Sequence, residues 1–106
     1  TFNIAGEGNG YVSANITCQD TCKVTFGLYG NLETSGAYAE YSLDGESHTY
    51  SGTFNQSVTL TLGAGTHTFE INLYHTESSD EYAAISIESV NSPNTIGNEP
   101  MIYANH

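Results

Sequence analysis

The chain is predicted to fold as a single-domain antiparallel β-sandwich over residues 1–106. Three observations carry that expectation. Apolar and polar residues alternate with period two almost from end to end, Gly-, Asn- and Asp-rich turns interrupt the alternation at short intervals, and no window shows the i, i+3, i+4 spacing of an amphipathic helix. Eight tyrosines and no tryptophan suit strands with one buried face.

Taken in order, Tyr11–Cys18 sets Val12, Ala14, Ile16 and Cys18 on one face, with Tyr11, Ser13, Asn15 and Thr17 on the other. Lys23–Tyr29 repeats the pattern with Val24, Phe26 and Leu28 inward. Ala37–Leu43 places Ala39, Tyr41 and Leu43 against Tyr38, Glu40 and Ser42. Asp44-Gly45 follows, a strong short-range hairpin signal. Ser57–Leu62 carries Val58, Leu60 and Leu62 before Gly63-Ala64-Gly65 breaks the run. Thr66–His75 turns Phe69, Ile71 and Leu73 inward, and Tyr82–Val90 closes the series around Ile85 and Ile87. Weaker strands are expected at Thr1–Ile4, Ser47–Phe54 and Met101–Asn105. The one boundary-like stretch is Asn91–Pro100, polar and holding both prolines. Strands that each bury one face require two sheets packed together.

Twelve carboxylates face a single lysine, Lys23, and no arginine, for a formal charge of -11. A phosphate backbone is held by several Lys/Arg contacts, so nucleic acid and anionic membrane surfaces are excluded as partners. No apolar run approaches the roughly 18 residues of a membrane helix, so no membrane insertion is expected. Cations, neutral glycans and protein edges remain. The first residue is Thr1 rather than Met, which reads as a mature secreted product, and an extracellular location is expected. Cys18 and Cys22 are then expected to form a short-range disulfide worth about 2 kcal/mol. Sequons at Asn15 and Asn55 agree with secretion.

There is no Gly-x-Ser-x-Gly elbow and no other nucleophile spacing. His67 and His75 fall at the two ends of one strand, and His48 and His106 have no partner recognisable in sequence. A catalytic role is not expected. The segment Glu77-Ser78-Ser79-Asp80-Glu81 gathers three carboxylates in one inter-strand loop, making Glu77, Asp80 and Glu81 candidate calcium ligands. Glu7, Asp20, Asp44 and Glu46 are further candidates. Parity places Tyr29, Tyr38 and Tyr74 on polar faces, where a ring with a hydroxyl tip suits sugar or protein contacts.

Val24–Asn31, Ala39–Glu46 (AEYSLDGE) and Ser57–Val90 resemble the galactose-binding-like jelly-roll modules in their strand and turn punctuation. The resemblance implies a jelly-roll sandwich and a carbohydrate-binding role. It supplies no site residues, since the tryptophans of such platforms are absent and residues beyond Val90 have no counterpart.

Lysine, a common guard of strand edges, is nearly missing, and residues 1–4 and 101–106 are short apolar segments suited to exchange between copies. The expected function is therefore a self-assembling extracellular subunit, joining strand edges by β-strand donation with cation assistance into a filament or surface layer. The alternative is a carbohydrate-binding module or lectin-like adhesin using calcium.

Overall fold

The computed structural model describes residues 2–90, 95–97 and 101–105. Among them there is no helix, and ten strands form two antiparallel sheets packed face to face, as expected. The strands are β1 (Phe2–Ala5), β2 (Gly10–Cys18), β3 (Cys22–Asn31), β4 (Tyr38–Leu43), β5 (Glu46–Tyr50), β6 (Thr53–Leu62), β7 (Gly65–Tyr74), β8 (Tyr82–Val90), β9 (Thr95–Gly97) and β10 (Met101–Asn105). One sheet has the order β1-β8-β3-β6 and the other β10-β2-β7-β4-β5, with β9 also on β2.

The first eight strands are one long hairpin folded about Asp44-Gly45. Those two residues have φ of 53° and 89°, the pair of left-handed conformations that a type I′ turn requires and that Asp-Gly supplies. From that turn the arms zip outward as β4 with β5, β3 with β6, β2 with β7, and β1 with β8. Leu43 faces Glu46, Cys22 faces Leu62, Gly10 faces Leu73, and Phe2 faces Ile85. Residue numbers of partners thus add to 89, 84, 83 and 87, nearly constant over the whole fold. Because the arms alternate between layers, this doubled ribbon rolls into the jelly-roll sandwich.

Inward residues of both layers meet in one core. Phe26 and Phe69 pack across the layers with ring centroids 4.8 Å apart. Tyr41 of β4 is fully buried, and its hydroxyl reaches the opposite sheet to donate to Ala84 O at 3.0 Å. That bond satisfies the only polar atom of a ring that otherwise serves as core, and burial pushes its phenol well above the usual range. Gly30 is required where it lies: a Cβ there would strike the Tyr82 carbonyl and come within 2.8 Å of Phe54.

Three expectations change. The weak strand Ser47–Phe54 is two strands, β5 and the start of β6, separated at Ser51-Gly52, where Gly52 has φ 68°. Ile87, expected inward, is 41% exposed, two residues beyond the stretch of β8 that pairs with β1, 82–85. Cys18 and Cys22 lie close but not at disulfide distance. They enter the core from different layers, Cys18 opposite Gly65 and Cys22 opposite Leu62, and the Cys22 thiol donates to Asp20 O at 3.4 Å. In the single chain β1 pairs with β8 and β10 with β2. Thr1, His106, and residues 91–94 and 98–100 of the boundary-like stretch lie outside the described residues.

Candidate functional site

Glu81, an expected calcium ligand, is fully buried at the sandwich end where the β3–β4 and β7–β8 loops meet. Its carboxylate accepts from Thr34 Oγ1 at 2.6 Å and Thr34 N at 3.0 Å, and from Glu77 N and Ser78 N at 3.0 and 2.9 Å. Burial alone would raise its pKa. The donors, led by the Thr34 hydroxyl, outweigh burial and hold it at about 2. Beside it, Thr76 Oγ1 sits 2.6 Å from Gly6 O and 3.0 Å from Gly8 O, fastening the β1–β2 loop to the same hub. Glu81 therefore spends its lone pairs on three loop N–H groups and the Thr34 hydroxyl. No group of three or more metal-ligating side chains converges among the described residues, with Glu77 and Asp80 left in the loop around it.

The three tyrosines expected on polar strand faces divide between the two outer faces. Tyr38 and Tyr74 stack at 4.8 Å on the β2-β7-β4-β5 sheet, with His75 about 6 Å from both rings. Tyr29 lies on the other sheet, edge-on to Tyr82 at 6.4 Å. His67 is a structural clasp: its Nδ1 lies 2.9 Å from Asp44 Oδ2 and its Nε2 2.7 Å from Gly63 O, which ties the central hairpin to the β6–β7 turn. Acceptors on both nitrogens favour the doubly protonated ring, so its pKa is raised, chiefly by Gly63 O and then by Asp44. His48 lies 3.4 Å from Glu46. Of the sequon residues, Asn55 is exposed on β6, whereas Asn15 is half-buried and accepts from Thr68 Oγ1 at 2.9 Å.

Around Tyr29 the outer face holds a cleft of about 470 Å³. Its floor is Gly27, and a Cβ there would lie 2.8 Å from Ser86 Oγ and 3.2 Å from the Glu88 carboxyl carbon. The missing side chain lets Glu88 lie across β3 and accept from Ser57 Oγ of β6 at 3.1 Å. Tyr29 and Tyr82 wall one side, and Asn55 stands on the lip. Sequence reasoning found Tyr29 and Asn55 but not their neighbours. The only available signal was Gly27 interrupting an otherwise alternating strand, a mark of close approach.

The last feature is an edge. β6 runs for ten residues, Thr53–Leu62, pairs with β3 without a register shift, and has no strand on its other side among the described residues. Its sequence TFNQSVTLTL contains no charge and no proline. The other edge strands among those described are shorter: β1 has four residues, while β5 and β10 have five each. No family model, curated protein or solved structure matches this chain.

Proposed function

We propose that this chain is a non-catalytic, extracellular, self-assembling subunit of a filament or surface layer, joined to its neighbours by strand addition at β6. The observation that carries the reading is the open β6 edge. A row of free N–H and C=O groups recruits another strand unless charge, proline, a bulge or brevity prevents it. β6 has none of these devices. In a molecule of charge -11, β6 carries no carboxylate of its own, and the Glu88 carboxylate that reaches it is held by Ser57 Oγ. The proposed route is addition of a strand at an edge, with β1 and β10 keeping β8 and β2 as their partners. Negative-stain electron microscopy and light scattering test it with the full chain. Wild type forms polymers that grow with concentration, and Gln56→Lys with Thr59→Lys abolishes them while leaving the circular dichroism spectrum unchanged. Monomers at every concentration and salt level overturn the reading.

A second reading, binding of a neutral glycan, is favoured by the cleft over Gly27. Glu88 held by Ser57, the Ser86 hydroxyl and the Asn55 amide offer both donors and acceptors beside aromatic rings, which matches sugar hydroxyls and C–H faces. Unglycosylated protein titrated with neutral mono- and disaccharides is expected to shift the amide resonances of Tyr29, Tyr82 and Glu88. Absence of shifts with every sugar, or shifts confined to Tyr38 and Tyr74, removes this reading.

A further inference from the structure

The direction of each strand restricts how copies can join, and it points to a particular partner surface. In the β1-β8-β3-β6 sheet every neighbouring pair is antiparallel. With four strands, the two edges, β1 and β6, run in opposite directions. A second copy placed in the same orientation beside the first brings its β1 against β6 antiparallel, so the hydrogen-bonding pattern continues across the boundary. The same operation repeats, and the sheet has no natural end. The main path of the other sheet has five strands, so its edges β10 and β5 run the same way and an identical placement would make a parallel contact. Antiparallel ladders are slightly the more stable per residue and tolerate one solvated face.

We propose that subunits join head to tail, with β1 of one copy adding to β6 of the next, so that the four-stranded sheets fuse into a continuous antiparallel sheet along a filament. This deepens the assembly reading and rests on it. A heterologous contact of this kind yields an open polymer, whereas two copies of β6 facing each other across a two-fold axis close into a dimer.

Two observations beyond strand direction support the β1 side. First, β1 reads FNIA and β6 reads TFNQSVTLTL, so the seam joins two uncharged strands in a strongly acidic molecule. Second, Ile87, a large hydrophobic side chain that is 41% exposed, lies on β8 just beyond the residues that β1 covers. The sheet edge that offers β1 therefore also offers an uncovered apolar side chain. A neighbour's β6, longer than β1 by six residues, has length to spare for covering it. Outward positions on the two strands, Asn3 on β1 with Asn55, Ser57 and Thr59 on β6, are all exposed and available for labelling.

Thiol cross-linking of the full chain separates the possibilities. Three variants are compared under assembly conditions: Asn3→Cys alone, Ser57→Cys alone, and the double variant, each treated with a short bis-maleimide and followed by denaturing electrophoresis. Cys18 and Cys22 are fully buried, and wild type subjected to the same treatment provides the background. Asn55→Cys and Thr59→Cys, each combined with Asn3→Cys, cover a shift of register by two residues either way. Head-to-tail joining is expected to give a ladder of covalent multimers from a double variant and no ladder from the single ones. Covalent dimers from Ser57→Cys alone overturn the inference in favour of a closed β6 pair while leaving self-association intact. Polymers visible by microscopy with no cross-link in any β1–β6 combination also overturn it and leave assembly standing. The absence of polymers sinks both.

Discussion

A buried carboxylate that accepts four hydrogen bonds makes stability depend on pH in a direction that can be worked out. Glu81 has a folded pKa of about 2, below the roughly 4.3 of an unfolded glutamate. A group with a depressed folded pKa contributes stability that is present in full above the unfolded value and is lost as pH falls through the folded one. Thermal melts are therefore expected to show a Tm that declines from about pH 4 to about pH 2. Glu81→Gln should flatten that limb. Its amide cannot accept all four bonds, and leaving buried donors unmet is expected to lower stability at neutral pH by about 3 kcal/mol in urea titrations. If the variant retains the acid limb and full stability, Glu81 is not the hub. The same residue shows why the site was hard to read in sequence. A calcium loop and a loop tied to its own backbone both place carboxylates between strands. What the sequence could not show is Thr34, 47 positions away, whose hydroxyl and N–H are brought to Glu81 only by the fold.

Strands were legible where one face is buried along their length, and illegible where that condition fails. β2, β4, β7 and β8 match the alternating segments to within a residue or so because core contacts impose period two on them. β6 began four residues earlier than the alternation indicated. Its residues 53–57 lie at an open edge where polar side chains on both faces cost little, so Asn55, Gln56 and Ser57 carry no pattern. β9 has three residues, too few for any periodicity. Tyr29, Tyr38 and Tyr74 were assigned correctly to outer faces, but parity says only outside. Which of two outsides depends on the layer order, and that order follows from the doubling back at Asp44-Gly45, a turn visible in sequence whose consequences for distant strands are not. Cys18 and Cys22 illustrate the same limit. Three intervening residues suggested a tight loop, whereas the chain there crosses from one layer to the other.

At the scale of the whole molecule, charge opposes the proposed association at the strand edges, and dimensions decide which prevails. The molecule measures 42 × 24 × 19 Å, while electrostatic screening lengths are about 30 Å at 0.01 M salt and about 8 Å at 0.15 M. At low salt, carboxylates across the full width of one subunit repel those of a neighbour. Near physiological salt, only groups close to the seam interact; β1 and β6 carry no charged side chain of their own, and Glu88, held by Ser57, is a carboxylate that reaches β6. Light scattering is thus expected to show little assembly at about 0.01 M sodium chloride and a steep rise toward about 0.15 M. Because Glu81 is committed to its loop, this cation assistance should follow ionic strength rather than ion identity. Calcium and sodium chloride matched in ionic strength should promote assembly about equally, apart from the somewhat stronger screening of a divalent ion. A requirement for micromolar calcium that sodium cannot replace would instead mean that carboxylates from two copies meet at the contact, and would move the seam away from the uncharged edges of the four-stranded sheet.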